Sequence, residues 1–201
     1  MRKNLTILLT TSFLLVSLSG CVLGDRDGHS GHDVHVTFGN IEVKDGKHAG
    51  DLETNSGNIT VGRNAKVKAV DLINGNIEIG ESSEAYSLEN VNGNIDVGKN
   101  VTITRSIETV NGHINIQQGV HVGANLLASN GDVTIAQKSV VKGDIIFEDS
   151  FLSSLDDKAP ILTISEGVTI EGKIHLHKYV KIILPDSISR DKVVKHYQDN
   201  R

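Results

Sequence analysis

The chain has 201 residues with 20 Gly, only 2 Pro, no Trp, 4 Phe and 3 Tyr, so its core cannot rest on aromatic packing and its glycines point to many repeated turns. Twenty basic against 25 acidic residues give a formal net charge of −5, a balance that does not favour nucleic acid or anionic headgroups as partners. A single Cys excludes an intramolecular disulfide.

The first element read along the chain is an export signal over residues 1–20. Basic Arg2 and Lys3 precede an apolar run of fourteen positions from Leu5 to Leu18, whereas a helix that spans the hydrocarbon core needs about 20. The run ends in Leu18-Ser19-Gly20-Cys21, which resembles the lipobox of bacterial lipoproteins. That resemblance implies lipidation of Cys21, with cleavage making it residue one. Several acyl chains then hold the protein to a membrane firmly, which one chain does not. Val22 in the place of Asp implies outer-membrane sorting, in the cell envelope of a host with two membranes. Cleavage would remove Arg2 and Lys3 and take the charge from −5 to −7. Residues 21–38, rich in Gly, Asp and His, read as a flexible tether.

Internal repetition decides the fold expected for residues 39–184. Gly-Asn-Ile-Glu-Val begins at Gly39, and close variants begin at Gly57, Gly75, Gly93, Gly112 and Gly131, at spacings of 18, 18, 18, 19 and 19 residues. Within this period runs a beat of six: Val61, Val67, Ile73, Ile79, Ala85, Val91, Val97 and Ile103. Two residues earlier stand Ile59, Ala65, Ile77, Ile95, Val101 and Ile107, with polar exceptions at Asp71, Ser83 and Glu89. Apolar residues at i and i+2 mean short strands with one buried face, and three per period make a three-sided coil. Extra residues near Val110 and Ser129 fit insertions at corners. The helical spacing i, i+3, i+4, i+7 is missing from segments such as 57–70.

The expected fold is therefore all-β: a single-stranded parallel β-helix, or β-solenoid, of about seven coils counted from Ile41. The beat resumes at Val133 and again at Leu162, and residues 149–160 between them read as a protruding loop. Asn74, Asn92, Asn111 and Asn130 precede the repeat glycines Gly75, Gly93, Gly112 and Gly131. They are expected to stack as a structural turn ladder, with side-chain amides bonding between coils. After Pro185, a short helix capped by Asp186 or Ser187 is predicted within residues 185–201, to seal the last coil or to dock a partner.

Motifs for chemistry are sparse. No Gly-x-x-x-x-Gly-Lys-Ser/Thr, Gly-x-Ser-x-Gly or His-Glu-x-x-His occurs, and the repeat glycines precede strands rather than helices. No catalytic residue, cofactor or firm metal set is expected. The weak metal candidates are His29, His32 and His35 in the tether, near Asp25, Asp27 and Asp33, against the reading of a solvated His-rich linker. Lys173, His175 and His177 alternate with apolar residues near Glu171 and are expected to point outward in a row.

The six-residue beat, with stretches such as Val97-Gly98-Lys99-Asn100-Val101, resembles hexapeptide-repeat acyltransferases, which imply a catalytic His; polysaccharide lyases and hydrolases on right-handed β-helices are a remoter comparison. Val141-Lys142-Gly143-Asp144-Ile145 and Val168-Thr169-Ile170-Glu171-Gly172-Lys173-Ile174, with the 18-residue period, resemble bactofilins. That family implies a right-handed three-sided β-helix that polymerises end to end without nucleotide. The repeated Ser/Asn-Gly-Asn/Asp-Ile also resembles adhesin-type β-solenoids of exported bacterial proteins. The function expected is a membrane-anchored, non-enzymatic scaffold that self-associates through its solenoid ends. The alternative is a binding module for an envelope glycan or protein.

Overall fold

The computed structural model describes residues 21–23, 31–149 and 158–198, the first three by their backbone alone. These residues form a parallel β-solenoid of three faces. The first and third faces are nine-stranded sheets and the second is five-stranded. The second face is extended towards the N-terminus by bridges from His48 to Lys66 and from Lys66 to Glu84. Nine strands per long sheet give about eight turns, one more than the seven expected.

Each turn runs through the faces in the same order. A three-residue strand such as Ile77–Ile79 lies on the first face, a two-residue strand such as Glu84–Ala85 on the second, and a longer strand such as Ser87–Asn92 on the third. Every turn rests in register on the one before it, as in Ile77↔Ile95↔Ile114↔Val133 on the first face. Strands alternate inward aliphatic and outward polar residues because the side-chain period of a strand is two. β-branched Ile and Val fill the interior because they pack well on a pleated surface. Ile59, Ile77, Ile95, Val133 and Leu162 are wholly buried.

The interior differs from the six-residue beat on one face. Val70, Leu72 and Leu88 are buried on the third face, whereas Ile73 and Val91 are half-buried and point outward. The sequence is ambiguous there because Leu72 and Ile73 are adjacent, so two phases look apolar. Inward pairs start at Ile59, Ala65, Val70 and then Ile77, at steps of six, five and seven rather than three equal hexads. The residue that lengthens the later turns also sits elsewhere than near Val110 and Ser129. Two residues, Tyr86 and Ser87, separate Ala85 from Leu88 in one turn, and three, Thr104, Arg105 and Ser106, separate the equivalent Ile103 from Ile107 in the next.

Backbone conformation fixes two corners. Between the first and second faces one residue per turn is left-handed: Gly46, Asn64, Ser82, Asn100, Gly119, Lys138 and Gly167, with φ from 55° to 76°. Gly and Asn take that region readily, Ser and Lys at a cost. At the corner before the first face the repeat glycines have φ from 130° to 158°. A Cβ on Gly93 there would overlap the carbonyl oxygen of Gly75 one turn below.

Both ends differ from the expected boundaries. Within residues 21–38, Cys21–Leu23 pairs with Ile41–Val43, and Val34–Phe38 pairs with Leu52–Ser56. The solenoid therefore starts inside the segment read as a tether, because Val34 and Val36 continue the inward column of Leu52 and Thr54. Of the loop at 149–160, residues 150–157 lie outside the described residues. The ladder resumes in register at Leu162, paired with Val133.

The predicted C-terminal helix is only a 3-10 turn, Arg190–Lys192, capped by Ser189. The chain then adds the strand Val193–Lys195 to the edge of Ile174–Leu176. The unpaired sheet edge offers a row of hydrogen bonds that a short helix would leave unmet, and adjacent Val193 and Val194 favour a strand. Lys192 completes this cap: its ammonium donates to the carbonyls of Ile170 at 2.8 Å, Gly172 at 3.1 Å and Glu171 at 3.3 Å.

Candidate functional site

Regular stacking brings residues one period apart into columns, and the polar columns are the features with chemistry in them. At the glycine corner the amide of Asn92 donates to Asn74 at 3.0 Å, Asn111 to Asn92 at 2.9 Å and Asn130 to Asn111 at 2.9 Å. Lys178 terminates the column by donating to Asn130 Oδ1 at 2.7 Å, and burial holds its ammonium below the usual lysine range. The Asn74 amide donates to the Asn55 carbonyl at the other end.

A second column runs beside it. The side-chain oxygens of Asn40, Asn58, Asn76 and Asn94 each accept from the backbone N–H one turn above, at 2.8 to 3.0 Å. His113 Nδ1 accepts from the Asp132 N–H at 2.9 Å and so takes the same place. Both columns satisfy turn backbone and side-chain amides, which is a structural task.

Four acidic residues, Glu53, Asp71, Glu89 and Glu108, form an outward column on the third face. Burial and the neighbouring carboxylates Glu53 and Asp51 push Asp71 up to about 6, against a small opposing effect of His35. Burial, with Asp71 and Glu108 beside it, also raises Glu89. Like charges directly across a sheet repel, so this column is held in place by the coil beneath it. Its signal in the sequence is the recurrence of acids at the repeat spacing.

The tether residues are partly placed. His29, Asp25 and Asp27 lie outside the described residues. His32 is exposed, and His35 Nδ1 lies 2.9 Å from Glu53 Oε2. Asp33 Oδ1 accepts from the Asp51 N–H at 2.9 Å. Cys21 opens the first strand of the first face. Among the described residues no group of three or more His, Cys, Asp or Glu is arranged to hold a metal ion. No helix of the described residues is long and apolar enough to cross a membrane.

At the C-terminal end, buried Ile174 and Leu176 alternate with half-buried His175 and His177. The sequence reading missed His196, which joins them. His175 Nδ1 lies 2.9 Å from His196 Nε2, and the His177 and His196 rings stack at 4.4 Å and 9°. Elsewhere, an open groove at the first corner is lined by Arg63, Glu78, Glu81, Asp96, Lys99 and Gln117, with charges of both signs and no nucleophile paired to a base. Comparison with protein families, with curated proteins and with solved structures gave no match to this chain.

Proposed function

We propose that this chain is a non-enzymatic structural rod of the bacterial cell envelope, held to the outer membrane by lipid on Cys21 and able to stack on further copies. The observation that carries the reading is the unbroken register of the stack from Ile41 to Ile182 on the first face. At about 4.8 Å per strand it makes a stiff body on the order of 40 Å long. Stiffness and repetition serve display and assembly, and the polar columns are already used in holding turns together. Right-handed winding belongs to this reading through the resemblance to bactofilins.

Charge supports association between unlike ends. Residues 31–56 carry Asp33, Glu42, Asp45, Asp51 and Glu53 against Lys44 and Lys47, a net −3. Residues 171–198 carry six basic and three acidic side chains, a net +3. Lysines on an edge strand discourage pairing with a like edge, and Lys181 and Lys195 sit on the last strands. The basic end therefore suits the acidic coils of a second copy better than another basic end.

Sedimentation of the chain without its lipid tests this. The expected result is association that grows with concentration, weakens in high salt and is lost in K181E/K195E. A monomer at every concentration would overturn self-assembly, and retention of envelope polysaccharide by that monomer would favour the binding-module reading.

A further inference from the structure

We infer that His175 and His196 form a binding site for a borderline divalent transition metal such as Zn²⁺, which ties the last strand to its neighbour. Zinc and copper are the usual partners of imidazole nitrogen, and calcium or magnesium are not. The proposal stands apart from lipid anchoring and self-assembly and requires neither.

Three features carry it. Two imidazole nitrogens from different strands face each other: His175 Nδ1 and His196 Nε2 are 2.9 Å apart. Two ligands at about 2.05 Å from a tetrahedral zinc stand about 3.3 Å apart, so metal entry asks for a few tenths of an ångström. His196 follows Val193–Lys195, the terminal strand of its sheet, where such a movement displaces no further strand.

The second feature is the tautomer. Asp144 Oδ2 lies 3.8 Å from His175 Nε2, and the carboxylate is fixed because its Oδ1 accepts from the Lys173 N–H at 2.8 Å. At 3.8 Å the carboxylate is beyond hydrogen-bond reach, but its charge favours the proton on Nε2 and leaves the Nδ1 lone pair directed at His196. With that tautomer His196 Nε2–H donates to His175 Nδ1 in the metal-free pair; metal entry shifts this proton to His196 Nδ1 through solvent, so two neutral imidazoles bind the ion with no net loss of a proton.

The third feature is access and support. His177 stacks flat on His196 and holds that ring beside His175, and the His196 N–H donates to the Leu176 carbonyl at 2.8 Å. His196 is exposed and His175 half-buried, so solvent reaches the pair. Among the described residues no third His, Cys, Asp or Glu completes a metal-binding group with them, and water completes the coordination.

Titration of ZnCl₂ into the dilute, monomeric full chain, followed by calorimetry and by imidazole NMR, tests the site. Stoichiometric binding with shifts at His175 and His196 is expected, with affinity falling tenfold or more in His175→Ala and in His196→Ala. Asp144→Asn is expected to lower it by about tenfold, while H29A/H32A/H35A leaves it unchanged. His196→Gln, with a side chain of similar reach, provides a second variant should truncation loosen the strand. No stoichiometric binding, unchanged affinity in the His175 and His196 variants, or a loss confined to the tether variant would overturn the proposal.

Discussion

The middle of the stack and its C-terminal edge are built from the same pattern yet are held differently. Ile95, Ile107 and Ile114 have a turn on either side and are buried almost completely. Ile182 and Val193 occupy the same inward columns on the last turn and are only half-buried. The difference shows that burial in this fold comes from neighbours along the axis, because a single turn is too narrow to bury its own apolar side. The edge makes up for the missing neighbour with Lys192 on three carbonyls and with the 3-10 turn, where Ile188 is buried just before its cap.

The sharpest way to break the middle is through its backbone. Gly93→Ala combines a φ of 132° with a Cβ that meets the Gly75 carbonyl. A loss of about 3 kcal/mol or more is expected, measured by denaturant unfolding. Ile114→Ala should cost about 2–5 kcal/mol through lost burial and a cavity, whereas Val193→Ala at the edge should cost less than about 1 kcal/mol. Equal losses at the two positions would remove the contrast.

Smaller effects probe the columns. Asn92→Ala removes two amide–amide bonds, one to Asn74 and one from Asn111, and should cost about 1 kcal/mol. Asp71 is pushed up from 3.8 to about 6, so its protonated form favours the folded state. That contribution is fully present below pH 3.8 and is lost as pH rises through 6. Asp71→Asn should therefore stabilise the protein slightly at pH 7, by less than about 1 kcal/mol after solvent screening. The gain should shrink to nothing below pH 4, read from thermal unfolding across that range.

Most of the fold was legible because the sequence repeats. Gly-Asn-Ile at Gly57, Gly75 and Gly93 marked both the period and the corner, and Asn74, Asn92, Asn111 and Asn130 marked a column. The phase of the third face was not legible, since Leu72 and Ile73 offer aliphatic side chains to both sides. The C-terminal strand was hidden as well. A polar segment after Pro185 reads locally as a capped helix, and only the waiting edge of Ile174–Leu176 makes a strand the better outcome. The imidazole pair joins residues 21 positions apart, outside the 18- or 19-residue spacing, so periodicity did not reveal it.

Residue-by-residue hydrogen exchange of the dilute monomer tests most directly whether stacking from both sides holds the molecule. Amides of the first-face strands from Ile59–Val61 to Val133–Ile135 should exchange slowest and at similar rates. Those of Lys181–Ile183 and Val193–Lys195 should exchange much faster. Terminal strands protected as strongly as the central ones, or central strands opening independently of each other, would contradict the account.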